Sequence, residues 1–314
     1  MFSYIRGFTF GWDAKKGDFF KSSAKESLQL MKERTNSDTV IIALAALQDH
    51  PQSTEIDYMG EHMVSDEELE KMIDFSHSIG LRVILKPTIN CKDGTWRAHI
   101  NFFDMEIPCE PKWADWFLSY TDYQLHYARI AEKTGCEMFI VGCEMVQAER
   151  RVDEWTKLIK MVKAEYNGLV TYNTDKYQEN QVQFWDAVDV ISSSGYYPID
   201  DLENQLNRIE SIIQKYNKPF FFAEAGCPSR TGSSYVPNDW SLDGEINLKE
   251  QAQYYRQMFN ACKNRHWIKG FGLWDWETNL YPIDSATNND GYGVYGKEAE
   301  IEIKKFYDAM EKRR

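Results

Sequence analysis

Two glutamates carry the strongest chemical signal in the chain. Glu144 closes the apolar run MFIVGCE, and Glu224 closes PFFFAE. A carboxylate at the end of so apolar a stretch is costly to bury unless it is partnered or put to use. Two carboxyls facing one acetal bond can cleave it. One protonates the departing oxygen while the other attacks the anomeric carbon, and for that outcome they must lie about 5–5.5 Å apart. The plainer reading is that one of them only pairs with a Lys or Arg. Around them, at the ends of other apolar runs, stand Trp12, Asp13, His50, Asn90, Asn173, Asp175, Tyr196, Tyr197, Trp274, Asp275, Trp276 and Glu277. These types suit sugars, whose hydroxyls need hydrogen-bonding groups and whose apolar faces stack on aromatic rings. Trp96 stands in the loop after the third run and is a further stacking candidate. Lys86 and Arg97 either hydrogen-bond sugar hydroxyls or pair with acids.

Something must hold these residues at one end of a sheet. Eight short runs rich in Val, Ile and Phe read as strands: 5–10, 39–47, 82–87, 138–142, 169–172, 187–192, 219–223 and 268–274. Longer amphipathic stretches separate them. Ser65-Asp-Glu-Glu68 is a capping box that opens one helix, with Leu69, Met72, Ile73 and Ile79 on one face and Gly80 as its stop. Further stripes are Trp113/Trp116/Phe117/Tyr120, Leu158/Met161/Val162, Leu202/Leu206/Ile209/Ile213 and Leu248/Tyr255/Met258/Phe259/Cys262, all read as core packing. Strands apolar on both faces, such as VIIALAAL, belong in a sheet covered on both sides. Eight such units in 314 residues predict an α/β fold of the (β/α)8 TIM-barrel type, with a doubly wound sheet as the runner-up. No Gly-, Pro- or Ser-rich linker divides the chain, so residues 1–314 read as one catalytic domain. In a barrel, chemistry gathers at the C-terminal strand ends, which is where the residues above fall.

Composition narrows the partners. With 36 Lys+Arg against 49 Asp+Glu, the net charge is −13, which repels nucleic-acid phosphates and anionic membranes. A 43% hydrophobic fraction with 10 Trp, 18 Tyr and 17 Phe excludes a disordered chain. No apolar run approaches the ~18 residues of a membrane span. The N-terminal MFSYIRGFTFGW has no signal-peptide pattern, and six scattered cysteines without CxxC spacing read as reduced thiols. A cytoplasmic enzyme is the expectation. Gly291-Tyr-Gly293-Val-Tyr-Gly296 matches GxGxxG but follows Asn288-Asn-Asp290 instead of a strand, so it reads as a loop. The six His are dispersed, and no metal site or cofactor is expected.

At this point the chain resembles a known group. Strand-end glutamates at strands four and seven resemble the clan A retaining glycosidases. The strings RGFTFGWD, LKPTIN…DGTWRAHI, FIVGCEM, FFAEAGCPSR and GFGLWDWE resemble glycoside hydrolase family 113, which includes β-1,4-mannanases. The resemblance implies Glu144 as acid/base, with a pKa raised by burial and by Glu224, and Glu224 as nucleophile. Tyr196 would hydrogen-bond that nucleophile, and Trp274 would floor the subsite of the scissile sugar. Trp12, Trp96 and Trp276 are candidates for further subsites. The clan's Asn before the acid/base is Cys143 here, so the contact to the sugar 2-hydroxyl passes to Asn173 or Asn90. The expected partner is an oligosaccharide; oligomeric state stays open. The same mechanism on xylo-, gluco- or N-acetylated oligosaccharides, or a non-catalytic carbohydrate-binding protein, are the rival readings. The polar loop 229–243, with Trp240, is placed to decide whether one end of the cleft is blocked.

Overall fold

The computed structural model describes residues 2–312. Eight parallel strands close into a barrel in chain order, with β1 (Ile5–Phe10) pairing both β2 (Thr39–Gln48) and β8 (Ile268–Leu273). Between them run β3 (Arg82–Cys91), β4 (Met138–Cys143), β5 (Leu169–Thr174), β6 (Val190–Ser194) and β7 (Phe220–Glu224). The barrel expectation therefore holds. β3 runs four residues beyond its predicted end, and its register with β2 continues to Gln48↔Cys91. That extension matters, because it carries Asn90 as sheet. Where β8 meets β1 the backbones come so close that a Cβ on Gly270 would lie 2.1 Å from the Ile5 carbonyl oxygen, so only glycine fits.

The pleat sorts the core into two shells. Ile5, Ile41, Ile84, Met138, Ile140, Val190, Phe221 and Ala223 fill the barrel interior. Residues of opposite parity, such as Val40, Ile42, Val83, Leu85, Phe220 and Phe222, pack outward against the helices. Continuing the inner parity of β3 beyond Ile84 leads through Lys86, Thr88 and Asn90, all of which line the cleft at the top. Ala43 and Ala45 of β2 line it too; their small side chains leave the space open.

Seven α-helices lie among the described residues: α1 (Ser22–Thr35), α2 (Asp66–Ser78), α3 (Trp113–Thr134), α4 (Val152–Glu165), α5 (Leu202–Tyr216), α6 (Leu248–Cys262) and α7 (Glu298–Glu311). The capping box at α2 is present in both directions, and Glu68 is fully buried. Between β5 and β6 no α-helix forms; buried Val182, Phe184 and Trp185 cover the barrel there. The helical stripes are core as expected, with two corrections. Leu248, at the start of α6, is only half-buried and lies outside the core. Met161 of α4 is exposed, since it stands beside the buried Leu158 and Val162 but off their shared face. All six cysteines are free thiols, and no helix among the described residues is long and apolar enough to cross a membrane.

Candidate active site

A cleft of about 540 Å³ opens at the C-terminal end of the barrel. Both glutamates line it, each nearly sealed from solvent. The pleat alone does not bring them there. The pairing of β4 with β5 slips between Ile140 and Cys143, and that of β7 with β8 slips between Phe220 and Phe222. After the first slip Cys143 and Glu144, neighbours in sequence, both reach the site. Glu144 takes a left-handed backbone (φ 54°), held by its amide donating to the Asn173 carbonyl at 2.8 Å. For a residue with a Cβ that conformation costs about 1–2 kcal/mol and persists only where the surroundings impose it. One oxygen from each glutamate and the Cys143 sulfur lie within 4.8 Å of one another.

The two carboxyls have different surroundings. Glu224 Oε1 accepts from the buried Lys86 ammonium and from the Cys143 thiol at 3.3 Å, and its Oε2 accepts from the Tyr196 hydroxyl at 2.9 Å. Burial alone would raise this carboxyl; the Lys86 and Arg97 charges, with the bonds from Lys86 and Tyr196, hold it below the ordinary glutamate value. Burial likewise pushes the Cys143 thiol and the Tyr196 phenol far up, so both stay protonated and donate. Burial would push the Lys86 ammonium down, but the charges of Glu224 and Glu144 and the hydrogen bond to Glu224 hold it up. Glu144 Oε1 accepts from Ser194 Oγ at 2.7 Å, and its Oε2 accepts from Arg97 Nη2 at 3.2 Å and Trp96 Nε1 at 3.3 Å. Of the two readings for Lys86 and Arg97, the structure places both against acids.

Asn173 is buried behind this pair, outside the lining of the cleft. Its Oδ1 accepts from Lys86 at 3.1 Å, and its Nδ2 donates to Ser194 Oγ at 3.0 Å, so one amide ties the cation of Glu224 to the hydroxyl on Glu144. Its second N–H donates to the Thr174 carbonyl at 3.0 Å, so it has no donor left for a sugar 2-hydroxyl. Asn90 lines the cleft and spends its Oδ1 on Arg97 Nη1 at 2.8 Å. Trp12, Trp96 and Trp274 line it as expected. Trp12 and Trp274 lie 5.4 Å apart by ring centroid, and Trp12 Nε1 donates to Asp275 at 2.7 Å. Asp275, joined to Trp274 by a cis peptide, is pushed up to about 7, mainly by burial.

Two expected residues lie elsewhere. Trp276 is buried in the shell outside the barrel, edge-on to Phe8 and Tyr295, with Nε1 bonded to the Ser27 carbonyl at 3.0 Å. Strand alternation would put both Trp274 and Trp276 on one face, but β8 ends at Leu273, and beyond it the chain is a loop that no longer keeps the alternation. His50 lines a separate depression with Asp49, Gln52 and Glu55. Two contributors were missed: Lys176, which lines the cleft, and Ser194, which reads as an ordinary strand serine and donates to Glu144. Asp175, a strand-end candidate, and Trp240 line the cleft as well. Trp240, on loop 229–243, is 65% exposed yet packs 6.5 Å from Trp12, 6.1 Å from Trp274 and 4.7 Å from Tyr292. Beyond it lies an adjoining pocket of about 230 Å³ with Arg230, Asp239 and Glu277.

Comparison with known proteins finds relatives over nearly the whole chain. The profile of Glycoside Hydrolase Family 113 matches residues 8–297. A solved complex of a GH113 β-1,4-mannanase is 64% identical over 98% of this chain and 99% of its own, with a TM-score of 0.97. The GH113 β-mannanase AaManA from Alicyclobacillus acidocaldarius, in complex with ManMIm, is 43% identical over 98% of both chains, with a TM-score of 0.95. The β-glucuronidase of Ruminococcus gnavus, 12% identical over 97% of this chain and 50% of its own with a TM-score of 0.66, shares the fold alone. No curated protein sequence matches the chain.

Proposed function

The chain belongs to glycoside hydrolase family 113, and from that membership we propose that it cleaves β-1,4-mannosidic bonds with retention of configuration. The observation that carries the mechanism is the approach of the two carboxyls, with one oxygen of each within 4.8 Å. So close an approach suits direct attack, for which the carboxyls stand about 5–5.5 Å apart, better than an inverting pair, which stands about 6.5–9.5 Å apart to hold a water between.

Glu224 is the nucleophile. Its depressed pKa keeps it ionised, and Lys86 and Tyr196 fix its two oxygens. It attacks the anomeric carbon as Glu144 gives its proton to the glycosidic oxygen, so the aglycone sugar leaves neutral and a glycosyl ester forms on Glu224. Glu144, now a carboxylate, takes a proton from water, the hydroxide displaces Glu224, and both residues return to their starting states. The scissile sugar stacks on Trp274. With Cys143 donating to Glu224 and Asn173 committed to Lys86 and Ser194, the hydroxyl contact falls to Asn90, whose side-chain N–H groups have no protein acceptor among the described residues.

A time course on reducing-end-labelled mannotetraose, with cellotetraose and xylotetraose alongside, tests the substrate. Internal cleavage of mannotetraose alone is expected, with the first-formed product in the β configuration by NMR. Equal cleavage of the gluco- or xylo-chain overturns the sugar assignment, and an α product overturns the mechanism. The cytoplasm is the proposed compartment, where the enzyme would trim short manno-oligosaccharides already taken up. Its support is the set of six free thiols, the usual state in a reducing compartment. Activity recovered in the medium of intact cells overturns that placement.

A further inference from the structure

Asp175 and Lys176 follow β5 directly and both line the cleft. Asp175 is 7% exposed, as sheltered as the two glutamates, but its bonding is different. Each oxygen of Glu144 and Glu224 accepts from donors on other parts of the chain. Among the described residues Asp175 has only its sequence neighbour, the Lys176 backbone and an ammonium 3.5 Å from Oδ2. A buried carboxyl with so few donors is costly, and native structures tolerate such a group chiefly where a ligand completes it. Its other charged neighbours include Glu144 and the buried Glu149, neither of which can satisfy it. Burial, then the Glu144 charge, push it up to about 7, which marks the same deficit of donors.

We propose that Asp175 and Lys176 form the receptor for the leaving-group sugar, Asp175 accepting from one hydroxyl and Lys176 donating to its neighbour. The proposal rests on the mannosidase reading above. Its location follows from Glu144. The proton of Glu144 goes to the oxygen that departs with the aglycone, and Asp175 lies on that side: it follows by two residues Asn173, whose carbonyl accepts the Glu144 amide at 2.8 Å, and both carboxyls line the cleft. The glycone lies on the other side, over Glu224 and against the Trp274 wall. An acceptor next to a donor matches vicinal sugar hydroxyls, each of which can both give and take a hydrogen bond. A leaving group without hydroxyls gains nothing from the pair. The same residues receive an acceptor sugar when the glycosyl ester is transferred to one in place of water.

The test compares two substrates that share a glycone and differ in leaving group: 4-nitrophenyl β-mannobioside, read by nitrophenol release, and mannotetraose. For Asp175→Asn, and independently Lys176→Met, the ratio of kcat/KM for mannotetraose to that for the aryl glycoside is expected to fall about ten- to a hundredfold, the range for losing a charged hydrogen bond to substrate. The yield of longer transfer products from mannotetraose is expected to fall with it. An unchanged ratio in both variants, whether activity falls equally on the two substrates or not at all, overturns the proposal and leaves the mannosidase reading intact. Wild-type enzyme inactive on both substrates overturns the mannosidase reading and this proposal with it.

Discussion

At the scale of single residues, the site separates two chemically identical side chains by what surrounds them. Glu224 sits between Lys86, Cys143 and Tyr196, a setting for a permanent carboxylate; Glu144 faces Ser194, Arg97 and Trp96. Removing each should therefore fail differently. Glu144→Ala is expected to lose about 10²–10⁴-fold on manno-oligosaccharides, the usual worth of an acid/base. Azide should restore turnover of an activated aryl mannoside with a β-mannosyl azide product. Glu224→Ala should fall to background, and azide should yield the α product; the same anomer from both variants would refute the assigned roles. Lys86 gives a pH prediction. In the proposed mechanism turnover needs ionised Glu224, so activity is lost as pH falls through its pKa, and Lys86 helps hold that pKa down. Lys86→Met is expected to move the acid limb of kcat/KM up by about one to three pH units, checked by the pH–rate profile.

Elements place these residues, and they do so where the sheet departs from regularity. Register shifts occur near the ends of β4, β6 and β7, the strands that lead to Glu144, Tyr196 and Glu224. Elsewhere the elements follow local rules. At α2, Ser65 Oγ accepts the Glu68 amide, while Glu68 Oε2 accepts the Ser65 amide at 2.9 Å and Glu68 Oε1 the Gly17 amide at 2.7 Å. Ser65→Ala is expected to cost about 1 kcal/mol. Glu68→Ala, which leaves two amides without acceptors, is expected to cost about 2–3 kcal/mol. Both are measured by denaturant midpoint, and because α2 contributes nothing to the cleft lining, kcat/KM should stay at the wild-type value.

Over the whole molecule, the barrel mouth carries buried charges that tie stability to pH. Burial raises Asp275 to about 7, partly offset by the Trp12 hydrogen bond, while burial lowers Lys297 to about 7 against the pull of Glu277, Asp290 and Asp275. Between pH ~4 and 7 folded Asp275 keeps a proton that its unfolded form has lost, so this group's contribution to stability falls as pH rises. Between pH ~7 and 10 unfolded Lys297 holds a proton that the folded form lacks, so its contribution rises with pH. Asp275→Asn keeps an oxygen for Trp12 and removes the first effect. Relative to wild type, the variant should gain stability from pH 4 to 7, by up to about 4 kcal/mol, seen as a growing difference in Tm. A difference that stays constant or shrinks would contradict the raised pKa.

What could be read from the sequence was what depends on near neighbours. Apolar runs bounded by turn residues located the eight strands, periodicity located the helices, and Ser65-Asp-Glu-Glu68 named its own cap. Charged residues ending apolar strands singled out Glu144 and Glu224, because burying a carboxyl leaves a mark on the sequence that holds it. Tertiary structure decided the rest, since it depends on which strand lies beside which and on register. Trp274 and Trp276 are two residues apart and look alike in sequence; one lines the cleft, and the other packs against Phe8 and Tyr295 outside the barrel. Asn173 was legible as a sugar ligand but bridges Lys86 and Ser194, residues 87 and 21 positions away. Ser194 and Lys176 carry no local signal at all, and Asp175 shows only that it follows an apolar run. Their significance comes from a closed barrel, which sets the ends of distant strands within hydrogen-bonding reach of one carboxyl pair.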